Sequence, residues 1–157
     1  MAAAIIVMAI TLIVGSMLWV LPSPKERRQM RLRQLAMDKG LRVQLTRIKD
    51  MGSPGKMLDC VAYRLSEGAH KSDRQNWKLF RTTEEWRMDI NGWSFGKTLK
   101  KENFPDIEAI KDCVTQLPED CVVVESTKYA VSIYWNEQGD ENTLVDIEEV
   151  LKKLLAL

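Results

Sequence analysis

The sequence predicts an α+β protein: an N-terminal transmembrane helix, followed by a mainly antiparallel β-sheet domain with helices packed on one face. A charge-free apolar run occupies residues 3–21. After residue 40, several short segments alternate apolar and polar residues with a period of two, which is typical of strands. Two later segments, 107–117 and 143–157, carry apolar residues at helical spacing. Strands grouped before helices favour the α+β class.

The apolar run at 3–21 has the length of a membrane anchor. As a helix it would reach roughly 28 Å, which matches the hydrocarbon thickness of a bilayer. A cleaved signal peptide is the alternative, and it requires a basic start and a small-residue cleavage site. Only Met1 and Ala2 precede the run, and Trp19-Val20-Leu21-Pro22 ends it. We therefore expect residues 1–21 to form an uncleaved transmembrane anchor.

Residues 22–40 are predicted to form a basic juxtamembrane helix. Ser23, Pro24 and Glu26 supply a capping box and a first-turn proline, and Gly40 suits the position after the helix. Segment 22–49 holds nine lysines and arginines against two acids. Five of these cations are the predicted membrane-surface residues: Lys25, Arg27, Arg28, Arg31 and Arg33.

The flanking positive charge predicts an orientation. Cationic flanks stay on the cytoplasmic side, so we expect the N-terminus outside and residues 41–157 in the cytoplasm. The expected location is the inner membrane of a bacterium, with anionic lipid headgroups as partners of the basic helix. The favoured interpretation is that these charges only set the topology, and specific recognition of a lipid or partner is the alternative.

Residues 41–157 are predicted to form one α+β domain. The segments 41–46, 58–65 and 77–80 read as strands, 121–125 and 129–135 as a hairpin, and 143–157 as a closing helix capped by Thr143 and Asp146. A further helix lies between Pro105 and Pro118.

A second predicted hairpin carries an unusual number of aromatic residues. Asn91-Gly92 is a two-residue turn signal between alternating segments. Core and cross-strand packing is the favoured interpretation of the tryptophans. A protein-binding face is the alternative, built from Trp86, Met88, Trp93 and Phe95. Nucleic acid is not an expected partner, because residues 50–157 hold fourteen basic and twenty acidic residues.

We expect no catalytic residue, no cofactor and no metal. The Gly52–Lys56 segment departs from a phosphate-binding loop, since Asp50 stands where glycine is needed and Met57 where serine or threonine is needed. His70 is the only histidine and lies in a polar segment. Three widely spaced cysteines are typical of buried, reduced thiols: Cys60, Cys113 and Cys121.

The layout from Trp19 to Val43 resembles the YajC family, an accessory subunit of the bacterial preprotein translocase. Pro24, Lys25, Arg27 and Arg28 match that family's proline-basic segment, and Gly40–Val43 matches its entry to the first strand. Leu41 stands where the family has aspartate, and the family's glycine-rich turn is missing. The resemblance implies one transmembrane helix, a small β-rich domain and a membrane-protein partner.

The sequence therefore favours a membrane-anchored, non-enzymatic interaction module, an accessory subunit of an inner-membrane complex with a membrane-protein partner. The alternative is a membrane-tethered enzyme or small-ligand binder with a site built from dispersed residues. A pocket with convergent polar groups would favour the alternative, and a shallow apolar face would favour the module.

Overall fold

The computed structural model describes residues 2–18, 22–49, 55–66, 75–83, 90, 92–95 and 106–157. The chain divides into two units, Met1–Arg31 and Leu32–Leu157. The helices are α1 (Ala2–Leu18), α2 (Pro24–Asp38), α3 (Ile107–Thr115) and α4 (Glu141–Ala156). The strands are β1 (Arg42–Lys49), β2 (Met57–Ser66), β3 (Trp77–Arg81), β4 (Trp93–Ser94), β5 (Cys121–Ser126) and β6 (Ala130–Trp135).

The first unit contains α1 and the start of α2. The predicted capping box is confirmed: the Ser23 hydroxyl accepts from the Glu26 N–H at 3.3 Å, and the Glu26 carboxylate accepts from the Ser23 N–H at 2.6 Å. α1 carries no charged residue over its seventeen positions. Within the described part of the chain, no helix is both long enough and apolar enough to span a bilayer. Residues 19–21 of the predicted span lie outside that part.

The end of α2 is closed by the predicted glycine. Gly40 has a φ of 82°, a conformation that costs other residues free energy because of their Cβ. Its N–H donates to Met37 O at 2.9 Å, and the Leu41 N–H donates to Ala36 O at 3.0 Å. These two bonds satisfy carbonyls that the helix leaves open, and they turn the chain directly into β1.

The second unit is an α+β fold with a six-stranded sheet in the order β1-β2-β6-β5-β3-β4. Every neighbouring pair is antiparallel, which confirms the predicted sheet type. The hairpin β5–β6 contains the last two strands along the chain, but it lies between β2 and β3 in the sheet. The centre of the sheet is therefore assembled from distant segments.

The two faces of this sheet differ in what lies against them. The covered face packs Tyr63, Ile133 and Trp135 into the main core together with side chains from α2, α3 and α4. We call the other side the open face because its cluster includes no residue from a described helix. This smaller cluster contains four buried residues: Cys60, Ala62, Val123 and Tyr134. Because side chains alternate along a strand, neighbouring residues of β2 serve opposite faces.

Two predicted local features, the cap of α4 and the turn of the aromatic hairpin, have different outcomes. α4 begins at Glu141, two residues earlier than predicted: Asp140 is the N-cap, and Thr143 exchanges hydrogen bonds with it as the third helical residue. The predicted cap of Thr143 with Asp146 is therefore wrong. The turn signal in the aromatic hairpin fits the structure, since Ile90 and Trp93 form a bridge around Gly92, whose φ is 78°.

We predict that the covered face dominates stability. Leu79 is fully buried, whereas Leu45 on β1 is 69% exposed. Leu79→Ala should lower the free energy of unfolding by about 2–5 kcal/mol because it leaves a cavity in the core. Leu45→Ala removes the same atoms from the surface and should change it by less than about 0.5 kcal/mol. Urea unfolding of the full chain in non-ionic detergent measures both, and equal losses would contradict the described burial.

Candidate functional site

The most deeply buried acid of the described residues is Glu137, at 1% exposure. Arg33 donates to its two carboxylate oxygens, through Nε at 2.8 Å and a terminal nitrogen at 2.5 Å. The Tyr63 hydroxyl donates to Oε1 at 2.7 Å. Burial, with this hydrogen bond in addition, raises the pKa of Tyr63 far above its ordinary value. The tyrosine therefore stays protonated, and the cluster acts as a structural tie rather than as an acid–base pair.

This arrangement changes the role of one predicted membrane-surface residue. Arg33 is half-buried in the second unit, and its guanidinium is held by Glu137. The other four, Lys25, Arg27, Arg28 and Arg31, are exposed in the first unit. Of these, Arg27 donates through Nε to Pro22 O at 3.1 Å.

A second ion cluster joins the turn that follows α2 to α4. Lys39 and Lys152 both donate to the carboxylate of Glu148, at 2.5 and 2.6 Å. Burial raises the pKa of Glu148, but the two lysines together outweigh burial, so its pKa lies below the ordinary value. Within α4, Glu148 pairs with Lys152 and Glu149 pairs with Lys153, each one helical turn apart.

Two of the four residues of the predicted interaction face are described by the structure, and both are buried. Trp93 and Phe95 are 1% and 3% exposed and belong to the main core. The Arg81 guanidinium lies 4.5 Å from the Trp93 ring and donates to the Cys121 carbonyl. These two aromatic side chains therefore pack inside the unit, as the favoured interpretation of the tryptophans predicts. Trp86 and Met88 lie outside the described residues.

The cysteines are free and buried. Burial raises the pKa of Cys60, Cys113 and Cys121, which disfavours the nucleophilic thiolate. In the described segments, no three residues among histidine, cysteine, aspartate and glutamate come together in a way that could hold a metal ion. His70 lies outside these segments.

A row of polar side chains crosses the open face. The strand register places Arg64 of β2 opposite Ser132 of β6, Ser132 opposite Glu125 of β5, and Glu125 opposite Lys78 of β3. Arg64 Nε donates to Ser132 Oγ at 3.0 Å, and Lys78 Nζ donates to Glu125 Oε1 at 3.3 Å. Tyr134 completes the row by donating to Glu125 Oε2 at 2.6 Å.

A cleft lies at one end of this row, beside the β5–β6 turn, with a volume of about 820 Å³. We call it the basic cleft, because its lining includes four cations and, among the described residues, one acid: Arg42, Arg64, Lys78, Lys128 and Glu125. Neutral polar groups and an exposed ring complete the lining, among them Ser66, Asn76, Thr127 and Tyr129. The Asn76 side-chain oxygen accepts from the Lys128 N–H at 3.0 Å and so fixes the turn.

Sequence reasoning missed the basic cleft. Its cations come from three strands and a turn, which meet because β1 pairs with β2, β2 with β6, β6 with β5 and β5 with β3. Taken alone, Arg42, Arg64 and Lys78 are ordinary polar residues of amphipathic strands, and Lys128 is an ordinary turn residue. The only signal in the sequence is that several of these outward positions are basic in a segment that is acidic overall.

Comparison with known proteins finds no match for this chain, either to a protein-family model, to a curated protein or to a solved structure.

We predict that Glu137 is the most sensitive polar position of the second unit. Glu137→Gln should lower the free energy of unfolding by about 2–4 kcal/mol, because it leaves Arg33 and Tyr63 without their charged acceptor. Tyr63→Phe should cost about 1.5–3 kcal/mol. Arg47→Gln is the matched control, since it breaks an exposed pair with Asp59 and should cost less than about 1 kcal/mol. Urea unfolding decides, and a control loss as large as that of Glu137→Gln would contradict the tie.

We also predict an acid sensitivity from Glu148. A carboxyl whose pKa is lowered by folding stabilises the protein above its unfolded pKa, about 4.3, and loses that contribution as the pH falls below it. Glu148→Gln should therefore be less stable than the parent chain at pH 7, with a smaller further loss between pH 5 and 3. Thermal unfolding midpoints of both chains at several pH values measure this. If the two midpoints fell in parallel with pH, the pairing of Glu148 with Lys39 and Lys152 would be contradicted.

Proposed function

We propose that this chain is a membrane-anchored, non-enzymatic interaction module that is tethered through α1 and binds its partner at the basic cleft. The observation that carries the anchor is the surface of α1. Ile5, Met8 and Leu12 are 69%, 67% and 66% exposed, on a helix with no charged residue. Apolar surface of this extent is unfavourable in water, and a lipid environment removes the cost.

We further propose that residues 3–21 form a single-pass anchor in the inner membrane, with the N-terminus outside and the second unit in the cytoplasm. The four exposed cations Lys25, Arg27, Arg28 and Arg31 support this orientation through the positive-inside rule. Each would add about 1 kcal/mol of attraction to anionic headgroups. Arg33 is left out of this set because Glu137 holds it.

Binding is favoured over catalysis by the state of the buried ionisable groups. Glu137 and Glu148 accept from cationic partners, and the raised pKa values of Tyr63 and Cys121 keep both protonated. A reaction needs a group that can change its protonation state or attack a substrate near neutral pH. Instead, the two carboxylates and the tyrosine have structural partners, and the Cys121 thiol is buried.

One observation favours the alternative of a tethered small-ligand binder. The basic cleft gathers charged and polar side chains from dispersed segments, unlike a shallow apolar face. Both forms of the proposal use the basic cleft as the binding surface. An accessory subunit would bind a membrane protein there, and a small-ligand binder would bind a small molecule.

We predict that α1 decides the cellular location. The double variant Ile10→Asp/Ile13→Asp should move the full chain from the carbonate-washed membrane fraction to the supernatant, because each central aspartate opposes insertion by about 2.5–3.5 kcal/mol. Ile10→Leu/Ile13→Leu is the control and should stay in the membrane. A parent chain found in the supernatant would overturn the anchor.

In-cell crosslinking and purification of the tagged full chain test the interaction half of the proposal. A stoichiometric membrane protein would support the accessory-subunit form. Purification of the chain alone would contradict that form and favour the small-ligand binder.

A further inference from the structure

We infer that the basic cleft binds a phosphate-bearing ligand with at least two negative charges. This inference rests on the proposed function in one respect, since it takes the cleft as the binding surface. It adds the chemical class of the ligand. Three features of the cleft support it: the charge of its lining, the fixed position of Arg64 and its volume.

Among the described residues, the charge of the cleft lining is unbalanced at the β1–β2 edge. Arg42 lies directly opposite Arg64 in the strand register, and both line the cleft. Like charges directly across a strand pair are destabilising. Glu125 is the acid of the described lining, and its two oxygens accept from Tyr134 and Lys78. A multivalent anion bound between the two arginines would offset this repulsion, because each guanidinium group would be attracted to the anion.

The donors are partly fixed before a ligand arrives. Arg64 is half-buried, and its Nε bond to Ser132 orients the guanidinium plane. The hydrogen bond from the Lys128 N–H to the Asn76 side chain holds the turn that carries the Lys128 ammonium group. Groups that are ordered in advance lose less entropy on binding.

The charge favours phosphate over a single carboxylate. A phosphate monoester carries about −1.5 to −2 at pH 7 and offers three acceptor oxygens, whereas a carboxylate carries one charge. Arginine forms two parallel hydrogen bonds with phosphate oxygens. The volume of about 820 Å³ is typical of a small-molecule site. The exposed ring of Tyr129 provides apolar surface for the rest of such a ligand.

Isothermal titration of the full chain in non-ionic detergent with inorganic pyrophosphate tests the inference. Binding to the parent chain should weaken with added salt, because exposed charges are screened. Arg64→Gln should weaken it at least about tenfold, the loss expected for one charge-assisted hydrogen bond. Arg47→Gln makes the same charge change on β1, outside the cleft lining, and should stay within about twofold of the parent chain.

Two sources share this chemistry, and a second titration separates them. Dihexanoyl phosphatidic acid presents the same phosphate as a soluble lipid. Tighter binding of this lipid than of pyrophosphate would indicate a lipid headgroup, and the reverse order would indicate a free phosphorylated metabolite. Failure of both probes to bind the parent chain, or equal affinity in Arg64→Gln and Arg47→Gln, would overturn the inference.

The folded state of the variants is checked separately. Arg64→Gln removes both the like-charge contact with Arg42 and the hydrogen bond to Ser132, two changes of opposite sign, so its unfolding midpoint should stay close to that of the parent chain. If the midpoint falls, Arg42→Gln on the exposed edge strand replaces it, with the same expected loss of pyrophosphate binding.

Partner capture distinguishes the failure of this inference from failure of the proposed function. A captured membrane protein that is lost in Arg64→Gln, together with no binding of either probe, would leave the interaction module standing and refute the phosphate ligand. Pyrophosphate binding by a chain that fractionates as soluble would support the ligand class and refute the anchor.

Discussion

The buried carboxylate of Glu137 is the constraint on which the arrangement of the second unit depends. A charge at this depth is costly unless it is paired and hydrogen-bonded. Arg33 from α2 and Tyr63 from β2 meet that need, and they do so at the residue that leads from β6 towards α4. Three segments far apart in the sequence must therefore come together before this carboxylate is satisfied.

Around that tie, aromatic and aliphatic packing determines which face of the sheet is covered. The Tyr63 and Trp135 rings lie 5.5 Å apart, next to the main core. The indole N–H of Trp135 is buried without a hydrogen-bond partner among the described residues. Such an unpaired donor costs free energy, and the apolar burial of this strongly packed face outweighs the cost. The ion cluster of Lys39, Lys152 and Glu148 then joins the turn after α2 to α4.

The open face follows from the same constraint. Once α2, α3 and α4 pack with the covered face, the alternate side chains of β2, β3, β5 and β6 must point the other way. Their polar members form the row that leads into the basic cleft. The candidate site is thus a consequence of sheet pairing and of which face the helices cover. No local motif encodes it.

Features that depend on neighbouring residues could be predicted from the sequence. The capping box at Ser23, the glycine at Gly40 and the turn at Gly92 follow from local hydrogen bonding and backbone sterics, and the strands and helices follow from periodicity. Even here, the cap of α4 lies three residues before the predicted one, because Asp140 rather than Thr143 caps the helix.

Contacts between distant residues were decided only by the tertiary structure. The placement of β6 between β2 and β5, the pairing of Arg33 with Glu137 and the meeting of Arg42, Arg64 and Lys128 depend on which strands pair. The sequence by itself determined the charge-free N-terminal run, the basic segment and the α+β class, because each is a property of a continuous stretch. It left open where each cation lies, since burial and strand register depend on the whole fold.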